Sequence, residues 1–455
     1  MTNEPGAPAV FPSSRGRLLK ILGVGFGIAV AVGNTIAAGI VRTPGDIAAV
    51  LPNVWLFLGV WVGGALYALL GAAQLAELGA AIPRSGGQYN YARRALGEYA
   101  GFIVGWSDWL STCGTNAAVG LVIGEYSGDL LPALYAHGKA IAVFVIVLFA
   151  LLQYGSLRVG SHIQNVTSLL KAVAFLAVVA GCFVIGHGGW STGQALRLPE
   201  GWKLFAGFVL GLQATIYTFD GWDGVIYFGD EVREPGRNVS RAIYGSVVSI
   251  LGIYLLLNAA VVFVLPMNEI AGNNFALGAA AQRVFGAHGD TIIRSVMVLS
   301  LLSSLNALHL MGTRIVYAMS RDGLFFRPVA RVNKGGTPTL ALLLSAGVGV
   351  IFAAFKDSFE SVIAMLAFFF VTNYTLSFAS LFVLRRREPQ LTRPYRAWGY
   401  PWTTGAALVG SVLFLAGAIK SDTANSRLTL IALAASYPVY RALKWAAQRT
   451  ARNAA

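Results

Sequence analysis

The chain has 455 residues, of which 56% are hydrophobic and only 12% charged, and its mean hydropathy is +0.64. Soluble domains carry roughly a quarter charged residues, so the composition excludes a soluble enzyme and leaves no room for a sizeable domain outside a bilayer. The net charge of +14, from 34 Lys and Arg against 20 Asp and Glu, brings in nucleic acid and membrane as competing partners, and position along the chain must decide between them.

Residues 1–18 are polar and Pro-containing and read as a tail. The apolar run that follows is too long for a signal-peptide core and reads as a retained first span. Long stretches then occur without Asp, Glu, Lys or Arg, and none alternates as a strand would. A crossing helix takes about 20 apolar residues. On that measure, and with one or two internal charges allowed, spans are predicted at 19–49, 54–82, 97–131, 139–156, 163–187, 203–229, 241–266, 290–319, 338–355, 360–384, 402–419 and 427–446. The fold class is therefore all-α: a polytopic membrane protein of about twelve helices, ending in a short tail at 447–455.

Charge orients these spans. With the first tail inside, the inner segments hold clusters such as Arg84, Arg93 and Arg94, or Arg385, Arg386 and Arg387. The outer segments hold only Lys139, Arg197, Lys203, Arg283, Arg294, Lys356, Lys420 and Arg427. The excess of basic residues predicts a multi-pass protein of the cell (inner) membrane with both termini cytoplasmic. Because the excess is spread over every inner loop, the nucleic-acid reading falls. Cys113 and Cys182 lie far apart in apolar runs and read as reduced packing residues, and neither they nor the histidines have metal-ligand spacing. No metal or cofactor is expected.

Two spans are interrupted. Lipid tolerates irregular backbone only where protein or water surrounds it, yet the first span contains Gly33-Asn34-Thr35-Ile36-Ala37-Ala38-Gly39-Ile40. The sixth contains Tyr217-Thr218-Phe219-Asp220-Gly221-Trp222-Asp223-Gly224. Five spans separate the two, an odd number, so a second half repeating the first would run the opposite way across the bilayer. Paired breaks in inverted halves point to a transporter's midplane site. Unwinding frees N–H groups at the start of one half-helix, which suit a carboxylate, and carbonyls at the end of another, which suit an ammonium. An α-amino acid offers both. Close packing of small residues is the alternative use of such glycines, and is the reading for Gly63-Gly64 and for Gly207 with Gly211.

Several motifs then carry a family resemblance. Gly33 to Ile40 with Thr43-Pro44-Gly45 resembles the first helix of amino acid permeases of the amino acid–polyamine–organocation superfamily. Pro83-Arg84-Ser85-Gly86-Gly87-Gln88-Tyr89 resembles their first cytoplasmic loop. Phe219-Asp220-Gly221-Trp222-Asp223, running on to Asp230-Glu231-Val232-Arg233-Glu234-Pro235-Gly236, resembles the sixth helix and loop of the L-type transporter and bacterial exchanger branch. Ser320-Arg321-Asp322-Gly323 and Arg393-Pro394-Tyr395-Arg396-Ala397-Trp398-Gly399-Tyr400-Pro401 resemble later loops of that branch. The resemblance implies a five-plus-five inverted repeat, here 19–187 and 203–384, followed by two additional helices at 402–446. It implies that Gly33, Asn34, Thr35, Ala38 and Gly39 hold the substrate carboxylate. The stretch Tyr217, Thr218, Phe219, Asp220 and Gly221 would face the amino group and side chain, with Tyr217 as an aromatic lid.

Lys171, well inside the fifth span, is expensive in lipid and is expected to face a cavity or partner; snorkelling to the interface is the alternative. The resemblance puts it beside the first break, where sodium-dependent relatives in the wider fold bind an ion. It would make sodium unnecessary and become a candidate proton carrier. Asp220 and Asp223 read as structural or gating acids, since Phe-Asp-Gly-Trp resembles neutral amino acid exchangers; as a pair they could instead bind a cationic substrate. Glu77 and Asp108 are further embedded acids, with Arg42 and Arg314 the basic groups on hand. The sequence thus predicts a secondary transporter of small or neutral L-amino acids, working by sodium-independent exchange or proton coupling. A cationic amino acid or polyamine permease, a non-transporting amino acid sensor and a membrane enzyme are the competing readings. The enzyme lacks a catalytic constellation, and no phosphate loop supplies ATP chemistry.

Overall fold

A computed structural model describes residues 18–37, 39–186, 197–355, 359–421 and 423–452. Its α-helices run in the order α1 (Val24–Thr35), α2 (Gly39–Val50), α3 (Val54–Ala81), α4 (Tyr89–Leu96), α5 (Glu98–Leu130), α6 (Gly138–Tyr154), α7 (Leu157–Val184) and α8 (Trp202–Thr218). They continue with α9 (Pro235–Val264), α10 (Met267–Ile270), α11 (Ala276–Phe285), α12 (Gly289–Arg321), α13 (Thr339–Phe355), α14 (Phe359–Arg387), α15 (Trp402–Ser421) and α16 (Thr423–Arg452).

Every predicted span contains a helix or, at the first, a pair of helices, and outside the two breaks the differences lie at the ends. Helix α7 begins at Leu157, ahead of the expected start, because Ser156 caps it by accepting from the Arg158 amide at 3.1 Å. Helix α9 begins at Pro235, whose fixed φ and missing N–H suit a first turn. Six helical stretches among the described residues are long and apolar enough to cross a bilayer by themselves, and α1 with α2 makes a further pair bent by 52°. Helix α5 is long but more polar, because Ser107, Asp108, Ser111, Thr112 and Asn116 are all buried along it. Those residues line or support the centre of the bundle.

The two breaks differ in form. The first separates α1 from α2, and Ala38 lies outside the described residues. At the second, α8 stops at Thr218, and turns and a single 3-10 segment, Gly224–Tyr227, replace the helical second half that the sequence suggested. Gly221 adopts φ +103°, the left-handed side of the map that interrupts a helix at little cost only for glycine.

Across the bundle, α3 packs on α9, α5 on α12, α6 on α13, and α2 on α8. The suspected packing glycines sit at such contacts: a Cβ on Gly64 would come within 2.7 Å of Thr215 Oγ1, and one on Gly207 within 2.8 Å of the Val50 carbonyl.

One end of the bundle is tied by buried ion pairs. Arg314 donates to both Glu231 oxygens, at 2.9 and 3.1 Å, with both side chains almost fully buried. Glu77 accepts from Arg385 at 2.9 Å, lies 3.1 Å from Arg393 Nε, and accepts from the Ala397 amide at 2.6 Å. Asp108 instead accepts from the Tyr227 hydroxyl, and Arg42 pairs with Glu125. The basic groups the sequence offered to Glu77 and Asp108 are therefore the wrong ones, since partners contributed by distant loops have no local signature. Leu22 bridges to Val232 and Lys444 pairs with Glu98, which brings the described ends of the chain to this same end of the bundle.

Candidate substrate site

Lys171 meets the first break. Its side chain is fully buried, and Nζ donates to the Gly33 carbonyl at 2.9 Å, the Ile36 carbonyl at 2.7 Å and Ser304 Oγ at 3.2 Å. Snorkelling is excluded by that geometry. Ser304 donates to the Gly33 carbonyl at 2.5 Å and Ser300 to the Ile36 carbonyl at 2.9 Å. The Thr35 carbonyl accepts from the Ala37 amide at 2.9 Å and from the Tyr254 hydroxyl at 2.8 Å. These carbonyls, each with two lone pairs, are taken by the protein itself. They are not open to a ligand's ammonium, as the sequence reading of freed carbonyls had suggested. The other side of this break is the start of α2 at Gly39, and the N-terminal end of a helix favours an anion.

The second break lies alongside. The Tyr254 hydroxyl that reaches Thr35 is also 3.0 Å from the Thr218 carbonyl, so one side chain spans both interruptions. Thr43 Oγ1 and Thr218 Oγ1 are 2.8 Å apart and join α2 to α8. A Cβ on Gly39 would stand 3.3 Å from the Thr218 methyl, which shows how closely the helices approach.

Between the breaks lie two small chambers. The first, of about 50 Å³, is lined by Asn34, Thr35, Ala37, Gly39, Thr115, Val119, Tyr217, Thr218, Asp220 and Phe370. The second, of about 30 Å³, is lined by Gln88, Asp108, Thr112, Asp223, Tyr227, Asn373 and Tyr374 among others. Asn34, Thr115, Asp220 and Phe370 face both. Each volume corresponds to a few water-sized groups. The Tyr217 ring borders the first chamber and stands 6.5 Å from that of Phe370. Asp220 accepts from the Tyr374 hydroxyl at 2.8 Å, and Asp223 from Gln88 at 3.0 Å.

The expected site residues thus divide. Asn34, Thr35, Gly39, Tyr217, Thr218, Asp220 and Gly221 line one chamber or both. Gly33 lines neither and contributes the carbonyl that Lys171 holds. The Phe219 ring packs between Trp61 and Tyr254, at centroid distances of 6.4 and 5.0 Å, and also lines neither. Sequence reasoning missed the lining from α5, α12 and α14. Its one signal was polar residues inside apolar spans, such as Thr112, Thr115 and Asn373.

Among the described residues, no group of three or more His, Cys, Asp or Glu side chains could hold a metal ion.

Comparison with known proteins agrees with this architecture. The chain is 26% identical to a serine/threonine exchanger of Bacillus subtilis over 94% of this chain and 97% of the relative. It is 26% identical to mouse b(0,+)-type amino acid transporter 1 over 83% of this chain and 79% of the relative. To mouse Asc-type amino acid transporter 1 it is 27% identical, covering 84% and 74%. The family model described as amino acid permease matches residues 22–435, and the chain belongs to that family of polytopic membrane transporters.

Proposed function

We propose that this protein carries L-amino acids, small or neutral ones among them, across the cell membrane by alternating access. In this reading both termini are cytoplasmic, and residues 19–187 and 203–384 form inverted halves that rock about the paired chambers, with 402–446 as two added helices. The contacts of α3 with α9, α5 with α12 and α6 with α13 support this reading, because each joins helices that would hold corresponding places in the two halves.

One observation carries the proposal: two interrupted helices border one polar-lined cavity within an apolar bundle. The substrate carboxylate lies at the start of α2, near Asn34, Thr35, Ala38 and Gly39. The ammonium faces the end of α8, from Tyr217 to Gly221, where Asp220 supplies negative charge. Tyr217 covers the first chamber and gates it. Lys171 supplies the positive charge that props the first break, so sodium is not needed. Exchange of one amino acid for another is favoured, since a relative matched over 97% of its length is an exchanger, with proton coupling as the other source of drive.

The test is counterflow of labelled alanine, serine, threonine, leucine and arginine in proteoliposomes free of sodium. Saturable counterflow that does not respond to added sodium is expected. Intact binding with no uptake of any of the five would favour a sensor and overturn transport.

A further inference from the structure

Three helices leave a groove on the outside of the bundle. Helices α1, α7 and α9 pack on one another pairwise. Between them lies a cavity of about 610 Å³, lined by α1 from Gly25 to Val32, α7 from Asn165 to Leu176 and α9 from Val248 to Leu256. No charged side chain lines it, and Leu169, Val248 and Leu256 at its edges are exposed. In a chain that spans a membrane those edges face hydrocarbon. At about 1.5 Å per residue the groove runs about 16 Å along α7 and about 12 Å along α9. The hydrocarbon core is about 30 Å thick, so the groove is about as long as one leaflet is deep. Spread over that length, its volume gives a section of about 40 Å², less than half that of a helix about 10–12 Å across. It admits a flexible chain and not another helix.

The mouth of the groove carries charge of one sign. Arg158 lies seven residues before Asn165 on α7, and Arg241 seven residues before Val248 on α9. Two turns put each arginine on the same side of its helix as the lining, about 10 Å nearer the helix start. Lys20 lies between the two starts. A Cβ on Gly336 would come within 2.8 Å of its neighbour Leu19, and the adjoining Gly335 carbonyl holds the Leu157 amide at 3.0 Å. Leu22 is paired with Glu231 and Arg233, just ahead of α9. Lys20, Arg158 and Arg241 are all exposed, and none has an ion-pair partner among the described residues. One acid, Glu234, shares a surface hollow with Arg237 and Arg241, which leaves positive charge in excess there.

We infer that this groove binds an acyl chain of an anionic phospholipid, whose phosphate meets Lys20, Arg158 and Arg241. The inference goes beyond the transport reading and does not depend on it. An apolar chain alone would need no cations at the mouth, and a soluble anion would need no groove of leaflet length. Basic residues at the ends of spanning helices attract acidic headgroups, and here they stand over a slot that takes the tail. The site bears on the first break. Ala29 and Val32, on α1 just ahead of Gly33, line the groove. The Ala29 carbonyl accepts from Ser168 Oγ at 2.7 Å and from Gln164 Nε2 at 3.1 Å, bonds that join α1 to α7. A chain in the groove covers these bonds from the lipid side and fills the space beside this part of α1, so it steadies the approach to the break.

Photo-crosslinking of the full chain in phosphatidylcholine vesicles tests this. The probe is phosphatidylglycerol with a diazirine in one acyl chain, the control is phosphatidylcholine carrying the same chain, and labelled peptides are mapped by mass spectrometry. The phosphatidylglycerol probe should label the groove faces of α7 and α9 more strongly than the control does. Arg158→Gln and Arg241→Gln should each weaken that labelling about fivefold, as expected for the loss of one basic residue at an acidic headgroup, and leave the control unchanged. Gly252→Trp fills the groove, since a Cβ there has nothing within 4 Å, and should abolish labelling by both lipids. Added phosphatidylglycerol should raise the unfolding temperature of the wild-type protein in detergent and not that of Gly252→Trp, because a ligand stabilises only the fold that binds it. Both arginines are exposed, so their variants keep the test decisive even where Gly252→Trp fails to fold. Equal labelling by the two lipids in wild type would overturn the inference, as would labelling that survives a folded Gly252→Trp. Cross-links from the groove to a second copy of the chain, with lipid labelling absent there, would overturn it too.

Discussion

The two interruptions solve the same problem with opposite charge. At the first, the end of α1 receives an ammonium from the protein itself, and the carbonyls of Gly33 and Ile36 are saturated by Lys171, Ser300 and Ser304. At the second, the turn after α8 closes on its own backbone, with the Phe219 amide on the Thr215 carbonyl and the Asp220 amide on the Tyr217 carbonyl. What it then presents to the cavity is carboxylate. In the proposed function the first break acts as a positive wall backed by the start of α2, and the second as a negative wall. On that reading a zwitterion between them has one favourable orientation, carboxylate toward α2 and ammonium toward Asp220. Two identical neutral breaks would not set that orientation.

Removing the positive wall should do the most damage. Lys171→Met keeps much of the volume and takes away hydrogen bonds from a charged group to two carbonyls, each worth about 1.5–3 kcal/mol. The first break should lose its shape, and substrate affinity should fall by about 100-fold, or some 2.7 kcal/mol. Binding measured by calorimetry on purified protein checks this, with size exclusion to verify folding. Affinity within threefold of wild type would mean that the charge at the first break has no part in the site.

Gly221→Val attacks the negative wall through its backbone. At φ +103° a β-branched residue is strained by roughly 1–2 kcal/mol, and its Cβ would run into the Asn34 side chain, which lines both chambers. Affinity should drop by about tenfold or more, and a normal dissociation constant would remove Gly221 from the site.

Much of this contrast was legible in the residue order, and the reasons are physical. Apolar runs of span length, with one or two internal charges allowed, located the long helices, because a membrane filters sequence by length and hydropathy. Both breaks were visible because glycine next to Asp or Asn has no place inside a lipid-facing helix. Lys171 stood out for the same reason. The lining of the second chamber was hidden, since which face of α5, with Thr112, and of α14, with Asn373 and Tyr374, turns inward depends on the rotation of each helix in the bundle. Phe219 shows the converse: it falls inside the break, yet its ring packs between Trp61 and Tyr254. Ion partners such as Glu77 with Arg385 were equally out of reach, since nothing local in either segment names the other.

Tyr254→Phe tests whether the two walls are held as a unit. Its hydroxyl lies 2.8 Å from the Thr35 carbonyl and 3.0 Å from the Thr218 carbonyl in a fully buried setting. Deleting it leaves two buried acceptors poorer by one donor, at a cost of about 1–3 kcal/mol. Thermal unfolding in detergent should move down by several degrees, and affinity should fall by less than in Lys171→Met. An unchanged transition would mean the walls are positioned independently.

The smallest effect belongs to Thr43→Val. Thr218 Oγ1 already donates to the Ala214 carbonyl at 2.8 Å, so in the contact between the two threonines Thr43 must be the donor and Thr218 the acceptor. Valine keeps the shape and removes only that donor. Thr218 loses one accepted bond but keeps its own donation, so the cost should be about 0.5–1.5 kcal/mol, below that of Tyr254→Phe. The reverse change, Thr218→Val, strips the acceptor from Thr43 and a polar group from the wall of the first chamber. It should therefore cost more in ligand affinity than Thr43→Val does, and measuring both separates a strut between the helices from a group that meets the substrate. Equal losses in the two variants would make the pair a strut alone and leave Asp220 as the principal polar contact at the end of α8.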